Sequence, residues 1–221
     1  MNPPEAQRSR KNMWVLCAGL LLLLGTICLA FLLAHLRMRA FLGSPLLSYG
    51  QIASFTLTNQ NGRSVSLADL KGHVWVADVI FTRCAGPCLK MSRQMKELQN
   101  NLPAMSGTKL ISITTDPLYD TPPVLKKYGE RFGADPNRWL FLTGSRQEVT
   151  NLINSLELTA VEKNPGEVAS ASDLFIHSTI FVVIDKQSQL RGIFETMGEG
   201  IDPEQEKLHL RAAIRRLERE P

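Results

Sequence analysis

Residues 74–102 read VWVADVIFTRCAGPCLKMSRQMKELQNNL, and the change of period inside this stretch decides the fold. Its first eight residues (74–81) are apolar and rich in β-formers, as in a strand covered on both faces. From Pro87 onward Cys88, Met91, Met95, Leu98 and Leu102 recur at spacings of three and four, which predicts an amphipathic helix over 87–102. The turn between them carries Cys84 and Cys88.

Working outward from there, Phe55 and Leu57, then Val65 and Leu67, flank Asn61-Gly62. That dipeptide accepts positive φ in a tight turn, so a β-hairpin opens the domain. On the C-terminal side a strand is expected over 110–114. A helix follows from Asp120-Thr121-Pro122 to about Phe132, with Asp or Thr accepting the free amides and proline in the first turn. A short strand over 139–142, a helix from Ser145 to Leu156, a loop over 160–172, a hairpin of 175–184 with 190–194, and a helix over 204–218 complete the chain. In that last helix Leu208, Ala212 and Leu217 share a side. Helices alternating with strands before a final hairpin and helix predict an α/β thioredoxin-like fold with a central mixed sheet.

The N-terminal part is different in kind. Residues 13–36 are almost continuously apolar, and LCAGLLLLLGTICLAFLLA contains no charge. At roughly 1.5 Å per residue this run crosses a hydrocarbon core about 30 Å thick. It is longer than the apolar region of a cleaved signal peptide, and Cys28 follows Thr26-Ile27 rather than small residues, so a lipoprotein cleavage site is not expected. The expected organisation is a cytoplasmic tail at 1–12, a transmembrane anchor at 13–36, a linker at 37–50 and a domain at 51–221. Arg8, Arg10 and Lys11 before the span nearly balance Arg37 and Arg39 after it. Orientation therefore rests on the short tail, which favours the N-terminus inside and the domain in an oxidising compartment. The tail lacks an Arg- and Ser-rich transit peptide, pointing to a bacterial inner membrane with the domain in the periplasm, the mitochondrial inner membrane being the alternative.

Composition excludes other classes. With 44% hydrophobic and 21% charged residues in 221, the chain has enough apolar content for one sizeable core. A net charge of +4 does not make a nucleic-acid protein, because acids interleave with the C-terminal arginines (Arg216, Glu218, Arg219, Glu220), as on a solvated helix. No Gly-rich phosphate loop and no Ser/His/Asp order is present.

Four cysteines fall into two pairs. Cys17 and Cys28 lie in the apolar run as packing or lipid-facing residues. Cys84 and Cys88 precede a helix N-terminus, where free amides and the macrodipole favour thiolate. At i and i+4 their sulfurs share a face if Cys84 is near-helical, and the pair then serves as a disulfide, a redox couple or a soft-metal clamp. A bridge closing so short a loop adds little stability, and the setting is expected to be exposed and electropositive, with Arg83 and Lys90 adjacent. His177 opens the apolar run STIFVVI. A lone histidine beside a strand is more often an ordinary hydrogen-bonded residue, but the loop before this hairpin approaches the cysteine-bearing helix in a thioredoxin-like sheet. Two thiolates and one imidazole suit Cu(I) and also accept Cu(II), whereas zinc normally takes a fourth ligand. His35, His73 and His209 read as structural or exposed, and Met91 and Met95 as core.

FTRCAGPC at 81–88, ITTDPLYDTP at 113–122 and the histidine of IHSTIFVVID at 176–185 together resemble the SCO/SenC family of membrane-anchored copper chaperones, over roughly residues 51–217. The resemblance implies copper ligands at Cys84, Cys88 and His177. It also implies delivery of copper to the CuA site of cytochrome c oxidase subunit II, or reduction of that subunit's cysteines, with another copper or thiol acceptor protein as the alternative partner. The chain departs from the family pattern at Ala85, Gly86 and Leu89, where proline, an acidic residue and proline are usual, and this bears on partner recognition or redox tuning. The expected role is binding and delivery, not primarily catalysis. The alternative is a membrane-anchored thiol:disulfide oxidoreductase using Cys84 and Cys88 as its redox-active pair. Ile176-His177-Ser178 stands where thioredoxin-type reductases carry a cis-proline, which counts against a general reductase. Peroxide reduction is weaker still, since no Arg and hydroxyl set surrounds a single cysteine.

Overall fold

The computed structural model describes residues 5–43, 46–103 and 106–221, the side chains of 5–13, 15–17, 38–43, 165 and 171 excepted. The Cys17 side chain lies outside that set. Two compact units are present, one N-terminal to residue 46 and the other Leu46–Pro221.

The first unit is one helix, α1 (Glu5–Gly43). Its stretch Ala18–Arg37 is long and apolar enough to cross a membrane. The helix continues through residues 37–43, which the sequence reading assigns to the linker: Arg37, Met38, Arg39, Ala40, Phe41 and Leu42 are all acceptable helix formers, and Gly43 is its last residue.

In the second unit, β1 (Gly50–Gln51), β2 (Thr56–Asn59) and β3 (Ser64–Ser66) precede a single turn of helix, α2 (Leu67–Leu70). Gly62 takes φ +74° in the β2–β3 turn, the conformation that makes Asn-Gly a hairpin signal. Then come β4 (Trp75–Ile80), α3 (Pro87–Asn101), β5 (Lys109–Thr114), α4 (Pro122–Arg131), β6 (Trp139–Thr143) and α5 (Arg146–Ser155). The chain closes with β7 (Ala160–Glu162), β8 (Phe175–His177), β9 (Ile180–Ile184), β10 (Gln189–Glu195) and α6 (Pro203–Leu217).

Eight strands form one mixed sheet in the order β1-β10-β9-β4-β5-β6-β2-β3. β4, β5 and β6 run parallel, and β9 pairs antiparallel with β4. Alternation along β4 sends Trp75, Ala77 and Val79 to a core shared with α5, and Val76 and Ile80 to a core shared with α3, α4 and α6. Helices thus cover both faces of a thioredoxin-like sheet. Cys88, Met91, Met95, Leu98 and Leu102 are all buried in the second of these cores, so the two methionines are packing residues.

Three expectations need correction. The strand expected over 175–184 is two strands: β8 pairs with β7 within the expected loop, and β9 pairs with β4 and β10. The chain changes sheets at Ser178, whose N–H donates to the Thr159 carbonyl while its hydroxyl accepts from the Thr159 N–H at 2.7 Å. Second, the buried face of α6 is Leu210, Ala213, Ile214 and Leu217, while Leu208 is 59% exposed and Ala212 is exposed too. Both registers satisfy helical spacing, and packing under the sheet selects between them. Third, neither Thr121 nor Asp120 caps α4 through its side chain; Asp120 is engaged elsewhere, as described next.

Candidate metal centre

β4 ends at Ile80, and the turn that follows delivers Cys84 before α3 begins at Pro87. The Cys84 N–H donates to the Phe81 carbonyl at 3.1 Å, so a turn rather than the helix itself brings Cys84 beside Cys88. Two carboxylates on the β5–α4 connection hold this turn. Asp120 is fully buried and accepts the Thr82 N–H at 3.0 Å, the Thr82 hydroxyl, and the Thr114 hydroxyl at 2.5 Å. Burial raises its pKa against these hydrogen bonds. Asp116 receives Arg83 at 2.5 Å, and the Arg83 guanidinium lies 4.2 Å over the Tyr119 ring. The residues on either side of the turn are thereby tied to the neighbouring strand's loop.

His177 arrives from the far end of β8, where the chain leaves the small sheet for β9. Its Nδ1 lies 2.9 Å from the Ser178 carbonyl; a carbonyl only accepts, so Nδ1 carries the proton and Nε2 is the nitrogen left to the sulfurs. Nε2 stands 3.0 Å from Cys88 Sγ, and the two sulfurs and a ring nitrogen all lie within 4.8 Å of one another. Phe81 meets the imidazole edge-on at 5.9 Å and Phe175 at 5.3 Å, walling the cluster with aromatic surface. The sequence reading pictures an exposed pair; instead Cys84 is 6% exposed and Cys88 fully buried, because the turn folds back against Phe81 and the core.

The two thiols differ sharply. Cys84 is lowered to about 4, chiefly by a hydrogen bond from Cys88 and, against the cost of burial, by His177. Cys88 is raised, because it donates that hydrogen bond and because it is buried. Burial opposes the charged form of His177, but the Cys84 thiolate and the Ser178 carbonyl outweigh it and leave the ring's pKa raised. The cluster thus favours the thiolate at Cys84 and the thiol at Cys88. Both cysteines are free. A soft ion entering this cluster meets two sulfurs and one oriented nitrogen, with no carboxylate in the set, the donor chemistry that suits Cu(I).

Asp78 is a residue that sequence reasoning passes over. It lies on β4 between Val76 and Ile80, fully buried, with Oδ1 accepting from the Ser112 hydroxyl at 2.6 Å and Oδ2 without a partner. Ser112 in turn accepts from Trp139 Nε1 at 2.9 Å. Burial pushes Asp78 up to about 7, and its charge is felt by His177 and Cys88. An acid inside the otherwise apolar run VWVADVIF was the signal available. Elsewhere, His73 bonds the Gly107 carbonyl, His35 stacks on Phe31 and His209 pairs with Glu206; none of them belongs to the donor cluster.

A thioredoxin-like sheet presenting two cysteines at a strand-to-helix turn and a histidine from an adjacent strand end defines a class of domain with a three-donor site for a soft metal. The SCO1/SenC family model matches residues 48–212, and the chain belongs to that family. Among curated relatives, the SCO1 protein homolog of Bacillus subtilis is 36% identical over 135 residues, covering 61% of this chain and 68% of that protein. A putative copper-binding protein of Stutzerimonas stutzeri is 29% identical over 143 residues, 64% of this chain and 67% of its own length. Among solved structures, BsSco, described as having a disulfide switch and as a member of the Sco family of cytochrome c oxidase assembly proteins, superposes with a TM-score of 0.61 at 31% identity, covering 77% of this chain and 96% of that one.

Proposed function

We propose that Cys84, Cys88 and His177 bind one copper ion as cargo and pass it by ligand exchange to the thiols of an acceptor protein. The observation that carries this reading is the three-donor cluster with its imidazole oriented by Ser178. The names of the relatives support it: one is described as copper-binding and another as a cytochrome c oxidase assembly protein. The acceptor that follows is the CuA site of cytochrome c oxidase subunit II. Cu(I) is the preferred cargo and Cu(II) is also accommodated. Residues 13–36 anchor the chain in a bacterial inner membrane, with 1–12 in the cytoplasm and the domain at 51–221 in the periplasm.

A second reading, reduction of the acceptor's cysteines, draws on the split between the thiols. The Cys84 thiolate attacks an acceptor disulfide and forms a mixed disulfide as one acceptor thiolate leaves. Cys88 then loses its proton and attacks Cys84 Sγ, the second acceptor sulfur leaves, and two electrons pass from the pair to the acceptor.

Cu(I) titration of the reduced domain 46–221 separates the two. Both hydrophobic cores and the whole sheet lie inside this stretch, so it folds without α1. One-to-one binding is expected, weakened at least about tenfold in His177→Ala, since loss even of a partner behind a ligand costs about 10- to 100-fold. Undiminished binding by the variant, or rapid general disulfide reduction by the wild type, overturns copper delivery.

A further inference from the structure

α3 carries its cations in an unfavourable place. Lys90 stands in the first turn, no acid accompanies it there, and a positive charge at a helix N-terminus is destabilising. By contrast α5 and α6 both open with acids, Glu148 and Glu204 with Glu206. Leu89, Arg93 and Lys96 follow at spacings of four and three, forming one row on the side of α3 away from the core. With Arg131 and Phe132 at the end of α4 they line a cleft of about 370 Å³. Its walls hold three cations and no carboxylate, and its apolar surface comes from Leu89 and Phe132. Lys96 donates to the Gly133 carbonyl at 2.7 Å and Arg131 lies over the Phe132 ring at 5.7 Å; among the described residues neither these two nor Arg93 forms an ion pair. The one acid of α3, Glu97, is already held by Lys207 at 2.8 Å and Arg211 at 4.0 Å.

A merely solvated helix face interleaves its charges. This face collects one sign beside an apolar floor and starts at the residue after Cys88. We infer that the cleft formed by Leu89, Arg93, Lys96, Arg131 and Phe132 docks an acidic segment, carrying an apolar side chain, of the protein that receives the cargo. The inference rests on the delivery reading, because a partner seated there is within reach of the cysteine turn, and ligand exchange requires a protein that brings its own thiols. Cations at the rim would steer encounter and fix register more than they add affinity.

The test uses the reduced domain 46–221 and a short fluorescein-labelled peptide of Glu and Asp with a central Leu, read by anisotropy. Wild type should bind the peptide at low salt and release it as the ionic strength approaches about 0.5 M. Arg93→Glu with Arg131→Glu should weaken binding by about tenfold or more, while Lys126→Glu with Lys127→Glu, on an exposed part of α4 outside the cleft, should change it little. All four residues are exposed, so both variants should stay folded, and Arg93→Gln with Arg131→Gln gives a milder intermediate loss. Equal weakening by the two charge-reversal variants would mean attraction by net charge alone and overturns the inference. So does capture of the domain by phosphatidylglycerol-containing vesicles without peptide binding, which would make this a lipid-facing surface. Copper stoichiometry is measured on the same samples: peptide binding lost with copper retained sinks the docking surface alone, and the reverse sinks delivery while the acidic-segment site stands.

Discussion

Asp78 illustrates how one buried side chain sets conditions for the centre. Its folded-state pKa, about 7, stands above the unfolded value of 3.8. A carboxyl shifted in that direction contributes stability below the unfolded pKa, and the contribution is lost as pH rises through the folded one. Between about pH 4 and pH 7 Asp78 therefore favours the acid side, by an amount of order 4 kcal/mol across the whole range. Cys84 acts in the opposite sense, since its lowered pKa favours the folded state increasingly as pH rises from about 4 toward the ordinary thiol value. Comparing Asp78→Asn with wild type isolates the carboxyl. The unfolding midpoint of the variant, relative to wild type, should rise between about pH 4 and pH 7; a difference independent of pH would show that Asp78 does not titrate there. The two thiols make the same point. They sit four positions apart, yet their pKa values move in opposite directions, because Cys88 is the deeper and donates its hydrogen bond to Cys84.

At the scale of elements, the β4–α3 turn is positioned by a neighbour that contributes no donor atom. Asp120 accepts three hydrogen bonds, two of them from Thr82, and so joins the turn to β5. Asp120→Ala leaves a backbone N–H and two hydroxyls without that acceptor, at a cost of about 1 to 3 kcal/mol or more. Calorimetry should find a lower unfolding temperature, and Cu(I) titration a weaker site, as Cys84 loses its fixed place. Unchanged copper affinity in a folded Asp120→Ala protein would refute the positioning role. Element boundaries were largely legible: α3, β5, α4, β6 and α5 begin and end within a residue or two of their expected limits, because apolar period, proline and cap residues are local signals. The β8–β9 break was not, since 175–184 is apolar throughout and only pairing with β7 divides it.

For the whole molecule, α1 and the domain are separate units, and the apolar stretch of α1 lies outside both hydrophobic cores. The full chain should sediment with membranes and require detergent for release, whereas 46–221 should remain in solution and still bind one copper per chain. A full chain that stays soluble without detergent, or a truncated domain that cannot fold, would overturn this division of labour.

Sequence alone determined the long apolar N-terminal segment, the alternation of helices and strands, and the pairing of Cys84 with Cys88, since each rests on residue type and short-range spacing. The cysteines were legible from the strand-to-helix turn. His177 needed the expected topology as well, because it lies 89 residues from Cys88. Only the tertiary structure decided that the pair is buried, which sulfur carries the proton, which imidazole nitrogen faces it, and that Asp78, Asp116 and Asp120 surround the centre. Those properties depend on desolvation and on hydrogen bonds between residues distant in the chain, and no local pattern of sequence encodes either.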